Sequence, residues 1–186
     1  LDTDEEKADI PGGPIQNDAT GVEVYSSIFA LEESPHNEGE IWVGSDDGLI
    51  HITRDGGKTW QNITPKKIIP YQGTINKIEL SSHSPGRAIV AVYNYRNSDP
   101  KPYIIMTDNY GENWKLLTNS NGIPSDHFVR AVAEDPARKG LIYAGTEFGA
   151  YVSFNNGESW NSLQLNLPHV PITDMEVTQH DLARST

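Results

Sequence analysis

The chain has 186 residues, enough for one compact domain with a sizeable core and marginal for two. Fourteen Lys and Arg stand against 26 Asp and Glu, a formal net charge of −12, so no basic face is expected that could neutralise nucleic-acid phosphates or dock on an anionic membrane. The absence of cysteine excludes thiol catalysis, disulfides and thiolate metal sites, and no apolar run approaches the ~20 residues of a membrane-spanning helix.

In chain order, residues 1–21 form an acidic lead-in segment with no basic-then-apolar stretch of the secretory kind. Residues 22–66 then hold four short apolar runs separated by turn chemistry. A run at 28–31 precedes the turn-rich hexapeptide 34–39, and a run at 41–43 precedes the polar turn Ser45-Asp46-Asp47-Gly48. A third run at 49–52 leads into an octapeptide, Thr53-Arg54-Asp55-Gly56-Gly57-Lys58-Thr59-Trp60, and a strand opened by Trp60 ends at Pro65. The same order returns over 74–119, with a longer loop at 94–102 and the octapeptide Thr107-Asp108-Asn109-Tyr110-Gly111-Glu112-Asn113-Trp114. It returns again over 126–167, with Ser153-Phe154-Asn155-Asn156-Gly157-Glu158-Ser159-Trp160. The run at 172–177 reads as the first strand of a further unit, 172–186.

The three octapeptides share Ser or Thr at their first position, Asp or Asn at the third, Gly at the fifth and Trp at the eighth. Their tryptophans are 54 and then 46 residues apart. No stretch keeps a 3.6-residue apolar spacing, so helix is expected to be nearly absent. Four antiparallel strands repeating about every 50 residues describe a propeller blade. The fold class is therefore all-β: a partial β-propeller of three four-stranded antiparallel blades plus the first strand of a fourth. Three blades cannot close a ring, so the partners expected for the fold are further blades of a longer chain or further copies of this one.

Within each octapeptide the short side chain of Asp55, Asn109 or Asn155 can accept from hairpin N–H groups that no ladder satisfies. Gly57, Gly111 and Gly157 suit positive φ. Trp60, Trp114 and Trp160 are expected to pack between sheets. An amide cannot act as a general base, so Asn at two of the three positions marks the motif, with its leading Thr53, Thr107 and Ser153, as structural.

The octapeptide hairpins and the turns between first and second strands must share one face of the propeller. The loops between second and third strands, and the blade-to-blade connections, share the other, where ligands gather on loops held by a rigid scaffold. That opposite face offers Asp46, Asp47, Asp126 and Glu147 as candidate carboxylates. Glu23, Tyr25, Tyr71, Arg96, His127 and Phe148 are the candidate binding residues. Carboxylates beside aromatic rings suit a sugar, through its hydroxyls and its apolar faces, and paired carboxyls roughly 5–9 Å apart would suit glycoside hydrolysis. Arg96 and Arg130 are too few and too scattered for the arginine cluster of a sialidase. The six histidines show no metal-ligand spacing, and Asp46-Asp47 offers too few ligands for Ca²⁺, so neither metal nor cofactor is expected. His36 and His83 fall at equivalent turn positions, which suggests a turn role. Asn62-Ile63-Thr64 matches a glycosylation acceptor, meaningful in a eukaryotic secreted protein.

The octapeptides resemble the Asp box of sialidases, bacterial neuraminidase-like repeats, sortilin-type receptors and several glycoside hydrolases. Gly12-Gly13-Pro14-Ile15, Thr20-Gly21-Val22-Glu23-Val24-Tyr25 and Trp42-Val43-Gly44-Ser45-Asp46-Asp47-Gly48-Leu49 look like one group in particular: large bacterial exported proteins with a sortilin-like N-terminal propeller. Tyr143-Ala144-Gly145-Thr146-Glu147-Phe148-Gly149 and the stretch 163–168 fit it too. That resemblance implies an extracellular, periplasmic or envelope location, about seven blades per propeller, and a binding or hydrolytic role. The expectation is a binding or scaffold module for glycan or protein in an exported protein, with part of a carbohydrate-active glycoside hydrolase as the alternative.

Overall fold

The computed structural model describes residues 27–164, 168–178 and 181–185. In the first blade β1 (Ile28–Glu33), β2 (Ile41–Ser45), β3 (Ile50–Thr53) and β4 (Gln61–Asn62) pair consecutively and antiparallel. The second blade is β5 (Thr74–Leu80), β6 (Ala88–Asn94), β7 (Asp99–Thr107) and β8 (Lys115–Leu116). The third is β9 (Val129–Glu134), β10 (Ile142–Thr146), β11 (Gly149–Ser153) and β12 (Asn161–Ser162). A fourth sheet pairs β13 (Asp174–Val177) with β14 (Leu182–Ser185), one strand more than the 172–177 run announced. The only helical element among the described residues is a 3-10 turn, Tyr95–Asn97. The sheets stack face to face with their first strands innermost, which makes the chain an all-β partial propeller.

Stacking explains the sequence pattern. All seven residues of β6 are buried. Ala88, Val90 and Val92 pack with Trp42, Ile50 and Ile75 toward blade 1, while Ile89 and Ala91 pack with Val132, Ile142 and Trp160 toward blade 3. A strand covered on both sides loses its alternation and reads as one apolar run. Close approach also fixes small residues in the second strands. A Cβ on Gly44 would overlap Ile75 of the next blade, and one on Gly145 would overlap Ile172.

The octapeptides fold alike. The Thr53, Thr107 and Ser153 hydroxyls donate to Asp55, Asn109 and Asn155 at 2.8, 2.9 and 3.0 Å, and accept from the Gly57, Gly111 and Gly157 N–H groups. The same acceptor oxygens take the N–H groups of Thr59, Asn113 and Ser159. Hydrogen bonds from Thr59 and then Thr53 hold the Asp55 carboxyl down at about 2. The three glycines adopt φ of +89°, +81° and +80°. The hairpins also sit on the first-to-second-strand turns, since the Gly39, Gly86 and Gly140 carbonyls accept from Gly56, Tyr110 and Asn156 N–H.

The tryptophans turn this hairpin into a seam between blades. Trp114 donates from Nε1 to the Ile63 carbonyl of blade 1 at 2.9 Å, and Trp160 to the Leu117 carbonyl of blade 2 at 3.0 Å. Ile63 and Leu117 each stand three residues after the preceding tryptophan. Gly111 and Gly157 lie against their side chains so closely that a Cβ would clash at 2.7 Å. Trp160 is accordingly 4% exposed. Trp60 departs from the expected packing. It is 39% exposed, and a Cβ on Gly57 would meet nothing nearer than its own Trp60 ring. The reason is positional: among the described residues no sheet precedes blade 1 to offer the carbonyl and the apolar side chain. Leu31, 60% exposed, stands where Ile78 and Val132 are buried.

Turn residues bridge blades as well. His36 Nε2 lies 3.0 Å from the Ser81 carbonyl and His83 Nε2 2.7 Å from that of Asp135, so the two equivalent histidines each tie one turn to the next blade's. Arg87 is buried and bonds Glu134 of blade 3 in a fork, Asp108 of its own octapeptide and Asn156 of the next. Burial alone would raise the Glu134 carboxyl; these bonds from Arg87 keep it lowered.

Charged side chains meet between the inner strands. Lys77 of β5 reaches Glu32 of β1 at 3.8 Å and Asp174 of β13 at 3.4 Å. Glu79 accepts from the Glu134 N–H at 3.3 Å, and burial pushes its carboxyl up to about 7.

Two outcomes are expected. In urea titrations Trp160→Ala costs about 3–5 kcal/mol, whereas the half-open Trp60→Ala costs less than about 1 kcal/mol. Because folded Glu79 holds its proton more tightly than the unfolded carboxyl at about 4.5, stability falls as pH rises from about 4.5 to 7. Glu79→Gln flattens that fall and is more stable than the parent at pH 8, read from urea midpoints at pH 5 and pH 8.

Candidate functional site

On the face opposite the octapeptides, blades 2 and 3 bring together the end of β6, the 3-10 turn, the start of β9 and the turn joining β10 to β11. Tyr93 is buried at the end of β6. Tyr95 opens the 3-10 turn, is 42% exposed, and stacks on Phe128 with ring centroids 4.8 Å apart and planes 17° apart. Tyr93 backs both rings, at 5.2 Å from Tyr95 and 6.2 Å from Phe128. Tyr95 is therefore a fixed platform, with one face supported and part of its surface open.

A β-bulge supplies the polar element. The register of β9 on β10 steps from Val129–Thr146 to Ala131–Gly145 and leaves Arg130 as the extra residue. Such a bulge re-aims the side chain it carries. Arg130 Nε donates to Glu147 Oε2 at 2.8 Å, and its guanidinium lies 5.1 Å from the Phe128 centroid and 5.8 Å from those of Tyr93 and Tyr95. The equivalent bulge in β5 is Asn76, whose side-chain amide donates to the Arg130 carbonyl and so braces it. Arg96 approaches from the loop, with its guanidinium 6.0 Å from the Tyr93 centroid.

A second aromatic group adjoins the first. Phe148, beside Glu147, is half exposed and lies 4.5 Å from the His127 ring, whose Nδ1 is 2.9 Å from the buried Tyr151 hydroxyl. Burial, then the charge of Asp126, raises that hydroxyl above the usual tyrosine range.

Of the residues expected from sequence, Arg96, His127, Phe148, Glu147 and Asp126 come to this site. Asp126 is exposed there, 4.0 Å from His127. Asp46 and Asp47 serve the blade 1 hairpin instead. Asp46 accepts from the Ser27 N–H at 2.9 Å, and the buried Asp47 takes the Ser45 hydroxyl. Tyr71 projects beside Asp47 at a groove of about 150 Å³ between blades 1 and 2. Glu23 and Tyr25 lie outside the described residues. The arginines, far apart in sequence, flank a single tyrosine ring, so they are less scattered than their numbering suggested. Sequence reasoning missed Tyr93, Tyr95, Phe128 and Tyr151 as one assembly. The aromatic density of Tyr93-Asn94-Tyr95 was a signal; the bulge at Arg130 left none. A wider groove of about 610 Å³ opens on the outer edge of blade 2 between Tyr103, Leu116 and Pro124, and no carboxylate lines it. Among the described residues no three His, Cys, Asp or Glu side chains gather as metal ligands.

This architecture is shared with known β-propellers. YCF48 bound to a D1 peptide superposes with a TM-score of 0.58 at 18% identity, over 77% of this chain and 43% of that one. The GH74 xyloglucanase of Xanthomonas campestris superposes with a TM-score of 0.62 at 14% identity, over 83% and 26%. An ancestral GH74 enzyme gives 0.59 at 21%, over 82% and 19%. In sequence, the chain is 27% identical over 126 residues to an oligoxyloglucan-reducing-end-specific xyloglucanase of Emericella nidulans. That match covers 68% of this chain and 15% of the relative, so the chain spans only a small part of its length. No family model matches. The chain is a β-propeller segment, and it is glycoside hydrolase-like in sequence.

Proposed function

We propose that this is a glycan-binding segment of an Asp-box propeller, of the sortilin-like kind, in an exported carbohydrate-active protein. The observation that carries the reading is the Tyr95 platform. An exposed ring is stacked on Phe128 and set beside the Arg130–Glu147 pair, with Phe148 and His127 next to it. Rings held in this way accept the apolar face of a sugar, and the ion pair offers donors and an acceptor to its hydroxyls. Similarity to xyloglucanases supports the ligand class and an extracellular setting. No described helix is long and apolar enough to cross a membrane. Binding is preferred to hydrolysis because Asp46, Asp47 and Glu147 each serve a local bond. The outward face of blade 1, with Leu31 and Trp60 exposed, supports work within a larger set of blades.

Isothermal titration with xyloglucan oligosaccharides tests the proposal. Micromolar-to-millimolar binding without new reducing ends is expected, with Tyr95→Ala weakening it about tenfold, a loss of about 1.4 kcal/mol. Binding unaffected by Tyr95→Ala would remove the platform from the account. Release of reducing ends would favour the hydrolase reading.

A further inference from the structure

The polar half of the platform carries two guanidiniums, Arg96 and Arg130, alongside the carboxylates of Glu147 and Asp126. Arg130 and Arg96 both flank Tyr93, and of the two only Arg130 has a carboxylate partner among the described residues, through its Nε edge to Glu147. Arg96 is exposed and pairs with no described carboxylate. With 26 acidic residues against 14 basic ones, this is no shortage of acids. Arg87, by contrast, is buried and holds Glu134 and Asp108. Two guanidiniums beside the buried Tyr93 ring, which backs the open Tyr95, offer donors to a planar anion, with Tyr95 receiving the body that bears it.

We infer that the site selects acidic sugars: the carboxylate of a uronic acid residue is taken by Arg96 and the outer edge of Arg130 while its pyranose ring, or its neighbour's, lies on Tyr95. The inference rests on the glycan-binding reading and adds the substrate class. Glu147 has two tasks in it. It orients the Arg130 guanidinium by holding Nε, and it leaves the terminal nitrogens without a described carboxylate partner. The bulge bond from Asn76 to the Arg130 carbonyl fixes the backbone from which that guanidinium projects.

The test is titration calorimetry on the chain as it stands, with three probes: an oligogalacturonate, the same oligosaccharide methyl-esterified, and a neutral cello-oligosaccharide of equal length. A charge-assisted contact predicts that the free acid binds about tenfold or more tightly than its ester at low salt, and that added salt erodes the difference. Arg96→Gln, an exposed position where folding is not at stake, should abolish the preference for the acid over its ester. Arg96→Lys should restore part of it. Equal binding of acid and ester, or a preference that survives Arg96→Gln, overturns the inference while the neutral probe still binds and the broader reading stands. Binding of none of the three overturns both.

Discussion

The seam at Trp114 and at Trp160 is the contact on which the rest of the structure depends. An indole N–H donates to the carbonyl three residues past the previous tryptophan, and the glycine of the same octapeptide lies flush on that residue's side chain. One eight-residue hairpin thus closes its own turn and positions the next blade. The indole donor is satisfied inside an apolar contact, so a large ring can be buried without an orphaned polar group. Repetition of that contact sets the stacking, and stacking sets which loops become neighbours.

Around the seam the blades are bonded at two further radii. On the octapeptide face the histidine bridges and the Arg87 fork tie turn to turn. Near the axis Lys77 holds Glu32 of β1 and Asp174 of β13, and burial pushes the Glu79 carboxyl up to about 7. These polar ties cost desolvation and gain specificity of placement, since each joins groups whose sequence positions are about 45 or more apart. The scaffold is consequently stiff where the loops begin. That stiffness allows Tyr95, on a one-turn 3-10 element, to hold a defined ring plane.

The candidate site follows from this stiffness and from a single irregularity. Without the bulge in β9, Arg130 would alternate with its neighbours and point into a blade interface; with it, the side chain reaches the open face and Glu147. The same bulge recurs as Asn76 in β5 and as Phe29 in β1. The position is conserved in geometry and varied in chemistry. A repeat fold specialises in this way: shared backbone, with a different side chain presented by each blade.

The sequence by itself determined the blade. Turn residues at fixed offsets, glycines suited to positive φ, and the Asp or Asn acceptor act within eight residues, and local hydrogen bonding is written in local composition. It also determined which face the loops share, because antiparallel pairing leaves no alternative. Only the tertiary structure decided that Arg96 and Arg130 flank one ring, that Asp46 and Asp47 serve a hairpin, and that Trp60 is half open while Trp160 is covered. Each of these depends on what the neighbouring sheet presents at a distance of many tens of residues, or on a one-residue register step that no residue type signals.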